Sequence, residues 1–300
     1  MKYHTPILLT ESVDRLNISP DGVYVDVTLG GGGHSRAILE KLGAGGRLIA
    51  LDRDAEALAN APDDARLIAQ HGDFRYMRNF LVHHGYRQVD GILADLGVSS
   101  HHFDDAARGF SFRFADAPLD MRMNAAAKLT AKEVVNKYSE NRLREIFAQY
   151  GELTDAQRLA REVVMSRQNA SIDTTGQLVD AIKQCIPRGA ENKYLAKVFQ
   201  ALRIEVNSEL DSLKSLLTQS VELLRKGGRL AVIAYHSLED RLVKNFFKNG
   251  MFEGVAQKDV YGNVDVPFKA INNKAIVPTD AEIEANSRAR SAKMRVGVRV

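Results

Sequence analysis

The stretch Val23-Tyr24-Val25-Asp26-Val27-Thr28-Leu29-Gly30-Gly31-Gly32-Gly33-His34-Ser35 decides the fold. It opens as an apolar, β-branched run and passes through four glycines into a helix-length segment, 35–42, with Ile38, Leu39 and Leu42 on one face. A Gly-rich turn after a strand lets the backbone approach a ligand closely. No Gly-Lys-Ser/Thr follows, so the turn is not a P-loop, and it overlaps the dinucleotide pattern only loosely. Asp26 suits hydrogen bonding either to this turn or to a cofactor amine. Two further strand-like runs, 47–52 and 89–95, also end in acids, Asp52 and Asp95. In an open parallel sheet ligands bind beyond the carboxyl ends of the strands. An acid ending the second strand suits both hydroxyls of a ribose. The three ends together point to an adenosine-containing cofactor.

Working outward, the β and helix rhythm continues. A helix is expected over 54–61, stopped by Pro62, then a strand at 66–69 and a helix at 76–84. Such alternation predicts a parallel sheet with right-handed crossovers. The rhythm breaks after Asp95. Residues 96–117 are polar and carry Phe103, Phe110, Phe112 and Phe114; helical patterns then follow one another, clearest at 155–167, 174–186 and 195–206. The α/β signal returns with a helix at 209–224, a strand at 229–235, a helix at 238–247 and a last strand at 295–300, expected as an antiparallel edge. The fold class is therefore α/β, with one domain made of residues 1–110 and 209–300 interrupted by an all-helical insertion, 111–208.

Bulk properties exclude several classes. Apolar residues make up 45% and charged residues 26%, ordinary for a soluble globular chain. No apolar run is long enough to span a bilayer, so no membrane partner is expected. The start has neither a signal-peptide core nor an Arg/Ser-rich presequence. Cys185 is the single cysteine, which fits a reducing, cytoplasmic setting; it shares a helical face with Leu178 and Ile182 and reads as a core thiol. The net charge of +3 is too small to argue nucleic-acid binding, so that argument rests on local clusters. Arg288, Arg290, Lys293 and Arg295 form one, and Arg108, Arg113 and Arg122 lie among the loop aromatics. Such groups suit a phosphate backbone with unstacked bases.

Other motifs have plainer readings. The adjacent histidine pairs 83/84 and 101/102 lack the spacing that aligns two ligands on a helix, and no metal is expected. His236-Ser237-Leu238-Glu239-Asp240 reads as a helix start, with Ser237 and Asp240 as an acidic capping box and His236 at a strand end facing the cleft. Asp52 has an alternative as a helix cap, a role that Asp54 can fill instead. Phe74 reads equally as a platform beside an adenine or as core.

At this point the chain resembles the bacterial small-subunit (16S) ribosomal RNA cytosine-N4 methyltransferases. The matching segments are 4–9, 28–35, 51–54, Asp95–Ser100, Arg108–Phe112, Pro118–Met123, Tyr150-Gly151-Glu152, Phe199–Asn207, His236–Arg241 and Arg288–Lys293. The resemblance implies a Rossmann-like methyltransferase domain with an inserted helical domain, and S-adenosylmethionine as cofactor. It implies cofactor contacts at Gly32, Gly33, His34, Asp52, Phe74, Asp95 and His102. It also implies a cytidine in the decoding region, near the P site, as target and the small ribosomal subunit as partner. Some positions depart from the pattern: His101-His102 stands for Pro-Gln, Tyr235 for Phe, Ser287 for Pro, and Asn192–Leu195 for a His-Pro-containing stretch. Asp95 is the expected catalytic acceptor for the amine proton.

Three rival readings are weaker. A nicotinamide oxidoreductase needs a more regular Gly-x-Gly-x-x-Gly turn and a second nucleotide half. A DNA cytosine-N4 methyltransferase would carry a Pro-Pro-aromatic run where Leu96-Gly97-Val98 stands, so no DNA partner is expected. A ribosome-assembly factor would keep a nucleoside pocket without turnover.

Overall fold

The computed structural model describes residues 6–98, 100–254, 266–272 and 274–300, with the side chains of Ser100 and His101 excepted. His4, Thr5 and Ser99, which belong to the motifs above, lie outside the described residues. In chain order the elements are α1 (Leu9–Leu16), β1 (Val23–Asp26), α2 (Gly33–Lys41), β2 (Arg47–Asp52), β3 (Leu67–His71), α3 (Met77–His83) and β4 (Val89–Asp95). Then come α4 (Ser100–Asp104), α5 (Ala131–Lys137), α6 (Glu140–Gln149), α7 (Ala156–Asn169), α8 (Thr175–Ala181), α9 (Glu191–Asn207) and α10 (Glu209–Leu223). The chain closes with β5 (Leu224–Ala234), α11 (Ser237–Asn249), β6 (Phe268–Ala270), α12 (Asp280–Ala285) and β7 (Lys293–Arg299). No described helix is long and apolar enough to cross a membrane.

The chain forms two compact units, Met1–Gly97 with Leu210–Val300, and Val98–Glu209. The first holds a seven-stranded sheet of order β3-β2-β1-β4-β5-β7-β6. β1 to β5 run parallel, while β7 is antiparallel to both β5 and β6. Side chains alternate between two cores. Val25, Ile49 and Ile92 join one, with Leu81, Leu216 and Phe246. Tyr24, Leu48 and Leu93 join the other, with Leu16, Ile38 and Val296. Each such aliphatic side chain, fully buried, contributes about 1.5–3 kcal/mol, so both faces hold the sheet in register. The chain steps outward from β1 to β3 and then crosses to β4 on the other side of β1. That reversal opens a crevice beyond the carboxyl ends of β1 and β4.

The terminal strand differs from the expectation. β7 is not the edge, because β6 covers it, paired from Phe268 against Arg299. Phe268 is fully buried and anchors a strand of three residues, too short to show alternation in sequence. Two helices also differ: 55–60 winds as a 3-10 helix, and the 174–186 pattern divides into α8 and a 3-10 turn at Lys183–Cys185.

The second unit packs around Val134, Phe147, Leu159, Leu178, Val198 and Leu202, with Cys185 buried among them. α5 and α8 start in full capping boxes, Thr130 with Glu133 and Thr174 with Gln177. This unit begins at Val98, ahead of the position 111 expected for the insertion. The reason is packing: Val98, Phe103, Phe110 and Phe112 all lie against the helical core. Gly109 makes that loop possible. Its φ is +69°, and a Cβ there would stand 2.0 Å from the Pro118 carbonyl oxygen.

Candidate active site

The Gly-rich turn is braced from beneath by Asp26. This carboxylate is fully buried and accepts from the Thr28 N–H at 3.1 Å and the Ser35 hydroxyl at 2.7 Å. Burial pushes its carboxyl above the usual range, against the pull of His34 and these hydrogen bonds. Asp26 thus takes the loop-holding role of the two open to it. Gly32, at φ +75°, caps α2, and Asn60 Nδ2 donates to the Gly30 carbonyl at 2.9 Å. Gly33 and His34 form the first turn of α2.

Asp52 ends β2 beside this turn. One carboxylate oxygen accepts from the Gly30 N–H at 2.8 Å and the other from the Asp54 N–H at 2.9 Å. Asp54, not Asp52, caps the 3-10 helix, accepting from Glu56 N–H at 3.1 Å. A carboxylate has about four lone-pair sites, so two remain on Asp52, whose side chain is partly exposed. Burial is the main influence on Asp52 too, and it raises the carboxyl.

Asp95 ends β4 on the other side of β1. Its Oδ1 accepts from the Tyr235 hydroxyl at 2.7 Å, and its Oδ2 lies 3.7 Å from His34 Nδ1. The Asp95 N–H donates to Thr28 Oγ1 at 2.8 Å, tying β4 to the residue after β1. Burial pushes the carboxyl up to about 6; His34 and Tyr235 pull it down, and Asp26 and Glu239 add to the rise. His34 Nε2 is buried and has no hydrogen-bond partner among the described residues. Gly32, Gly33, His34, Asp52 and Asp95 are therefore gathered at the crevice that the strand order opens.

The other expected residues sit differently. Phe74 is 6% exposed, packs with Met77 and Leu81, and carries Arg53 over its ring at 5.0 Å. Its place is largely core. His102 belongs to the helical unit, where its ring stacks on Phe110 at 5.1 Å and its Nε2 lies 3.2 Å from Arg108. Its cofactor contact rests on the resemblance. His236 follows β5 directly: its Nδ1 caps α11, accepting from Glu239 N–H at 3.4 Å, and its Nε2 lies 3.4 Å from Glu239 Oε1. The cap is thus His236 and not Ser237, because Asp240 is drawn to Arg295 by two hydrogen bonds, 2.6 and 3.2 Å. Sequence reasoning registered Tyr235 only as a departure. Its signal was position, immediately after a strand that pairs with β4.

A family described as the MraW methylase family matches residues 1–300. The chain belongs to it. Among its relatives, the "Ribosomal RNA small subunit methyltransferase H" of Bacteroides thetaiotaomicron is 56% identical over 296 residues, covering 99% of this chain and 97% of that one. The protein of the same name from Flavobacterium johnsoniae is 55% identical over 300 residues, covering 100% and 99%. The protein is a methyltransferase, and S-adenosylmethionine is its methyl donor. The family's donor fits the residues present. Among the described residues Asp52 has two acceptor sites left for ribose hydroxyls, and the turn is open beside Gly30, where a Cβ would meet nothing nearer than 3.9 Å, while at Gly32 and Gly33 it would meet Asn60 and Pro6.

Proposed function

We propose that this protein methylates the exocyclic N4 amine of a cytidine in the decoding region, near the P site, of small-subunit ribosomal RNA. What supports the target is the name its relatives carry, together with the matching motifs. What supports the chemistry is one observation: a carboxyl at the end of β4, raised to about 6 and anchored on one oxygen by Tyr235.

In this reading Gly32, Gly33, His34 and Asp52 hold the cofactor, Phe74 backs the adenine end, and Asp95 stands between cofactor and base. When bound, the cofactor supplies a methyl group on a sulfonium, ready for in-line displacement. The cytidine amine is a poor nucleophile because its lone pair is delocalised into the ring. Alignment of two reactants alone can lower a barrier by about 7–11 kcal/mol. Asp95 adds an acceptor for an amine proton, which restores lone-pair character as the new N–C bond forms. A carboxyl raised toward neutrality is a stronger base than an ordinary one and is still mostly ionised at pH 7. The target base must leave its stack to reach such a pocket. RNA of this kind is recognised largely by shape, which favours the assembled subunit over a fragment.

The test is transfer from labelled S-adenosylmethionine to small ribosomal subunits from cells lacking the activity, with the modified nucleoside identified by mass spectrometry. N4-methylcytidine at a single decoding-region position is expected. Label in any other nucleoside, or none despite cofactor binding, would overturn the reading.

A further inference from the structure

We propose that Tyr235 is a positioning residue for methyl transfer: its hydroxyl holds Asp95 Oδ1 and leaves Oδ2 as the oxygen that takes the amine proton. The proposal rests on the reading of Asp95 as proton acceptor and adds how that acceptor is aimed and tuned.

The two residues meet across adjacent strands. Asp95 pairs with Ile233, so Tyr235 lies two residues beyond its partner, and its ring turns back over the strand end to place the hydroxyl 2.7 Å from Oδ1. Both backbones are tethered there. Tyr235 N–H donates to Glu239 Oε2 at 2.9 Å, and Asp95 N–H donates to Thr28 Oγ1 at 2.8 Å. The ring has its place because residue 97 is glycine. Gly97 has φ +106°, and a Cβ there would come within 3.0 Å of Tyr235 Cδ2. Burial, then the Asp95 charge, pushes the phenol well above its ordinary value, so it stays protonated and can only donate to the ionised carboxylate.

Four groups act on the Asp95 carboxyl: His34 from α2, Asp26 from β1, Tyr235 after β5 and Glu239 from α11. Asp26 and Glu239 oppose its charge, while His34 and Tyr235 favour it. With Oδ1 engaged, Oδ2 accepts no hydrogen bond among the described residues and lies 3.7 Å from His34 Nδ1. As the N–C bond forms, the donor's S–C bond would break with its electron pair left on sulfur as a thioether, one amine N–H bond would break, and its proton would end on Oδ2. The acceptor must be ionised, so activity falls as pH drops through the Asp95 pKa. Loss of one donor to the ionised form raises that pKa.

The experiment compares wild type, Tyr235→Phe and Asp95→Asn across pH in single-turnover methyl transfer to small subunits. Carbon-13 NMR titration of Asp95 in cofactor-free protein accompanies it. Phe is the residue the resemblance leads one to expect at 235, so the ring's packing is kept. Tyr235→Phe is expected to move both the acid limb and the NMR midpoint upward by about half to one pH unit, a loss of about 3- to 10-fold on the acid side. Cofactor Kd is expected to hold. Replacement of Tyr235 by 3-fluorotyrosine, a stronger donor, is expected to move both midpoints down. Midpoints that stay put in these two proteins, or a rate loss equal at every pH, overturn the proposal. A wild-type rate and profile in Asp95→Asn would instead overturn the acceptor reading beneath it.

Discussion

The strand-end carboxylates of the α/β unit and two ion-paired carboxylates of the helical unit live under opposite conditions. In the α/β unit, Asp26, Asp52 and Asp95 close three neighbouring strands, and burial lifts all three above their ordinary range. In the helical unit, Glu133 is lowered by Lys137 and by its own capping box, and Asp173 by Ser171 and Lys132. The helical unit places charge where it favours the fold. The α/β unit gathers unfavourable charge at one crevice and tolerates it there. Perturbed groups of that kind concentrate where chemistry is done, which supports the choice of this crevice as the candidate site.

The strongest way to break the comparison is at Asp95. Asp95→Asn is expected to slow methyl transfer by about 10²- to 10⁴-fold at saturating cofactor, the usual contribution of a positioned base, read in single-turnover transfer to small subunits. A substitution in the helical unit should act on stability and leave the α/β chemistry alone. Gly109→Ala forces a side chain into a left-handed turn and against the Pro118 carbonyl. It is expected to cost about 2–4 kcal/mol in denaturant unfolding, from backbone strain and overpacking together. Asp52→Ala removes the acceptor of the Gly30 and Asp54 N–H groups. Losing hydrogen bonds to a charged group costs about 1.5–3 kcal/mol, read as roughly a 10- to 100-fold weaker cofactor Kd.

The smaller effects sharpen the contrast through their opposite dependence on pH. The folded pKa of Asp95 is raised from 3.8 to about 6, so the folded state loses stability as pH climbs through that window. Asp95→Asn is therefore expected to stabilise the protein by about 1–3 kcal/mol at pH 7–8 and by nothing below pH 4. That figure allows for a side chain 22% exposed. Glu133 has a lowered folded pKa, so its contribution is present above 4.5 and disappears as pH falls through the folded value. Glu133→Gln is expected to lower the melting temperature slightly at pH 7 and to match wild type in strong acid. A shared sign for the two variants would contradict the division of labour between the units.

Much of this was legible in the chain. β1, β2 and β4 are covered on both faces, so their apolar runs are nearly continuous and end sharply at an acid. α7 and α9 show the helical period because each buries one stripe: Leu159 and Val163 in the first, Val198 and Leu202 in the second. What escaped was short or depended on a distant partner. β6 spans three residues and carries no period. Ser237 looked like a cap until Arg295 claimed Asp240 from 55 residues away. The start of the helical unit moved to Val98 because loop aromatics chose the helical core.

The sequence by itself determined the α/β class, the strand-end acids, the Gly-rich turn and the family. These are local patterns, written in the period of burial and the punctuation of glycine. Only the tertiary structure decided what each acid does. Asp26, Asp52 and Asp95 are one residue type at equivalent strand ends, and their neighbours separate them. Ser35 and Thr28 make the first a brace, two backbone N–H groups orient the second, and Tyr235, 140 residues away, fixes one oxygen of the third. A carboxylate's role follows from its desolvation and its donors, and both are set by contacts that chain order does not record.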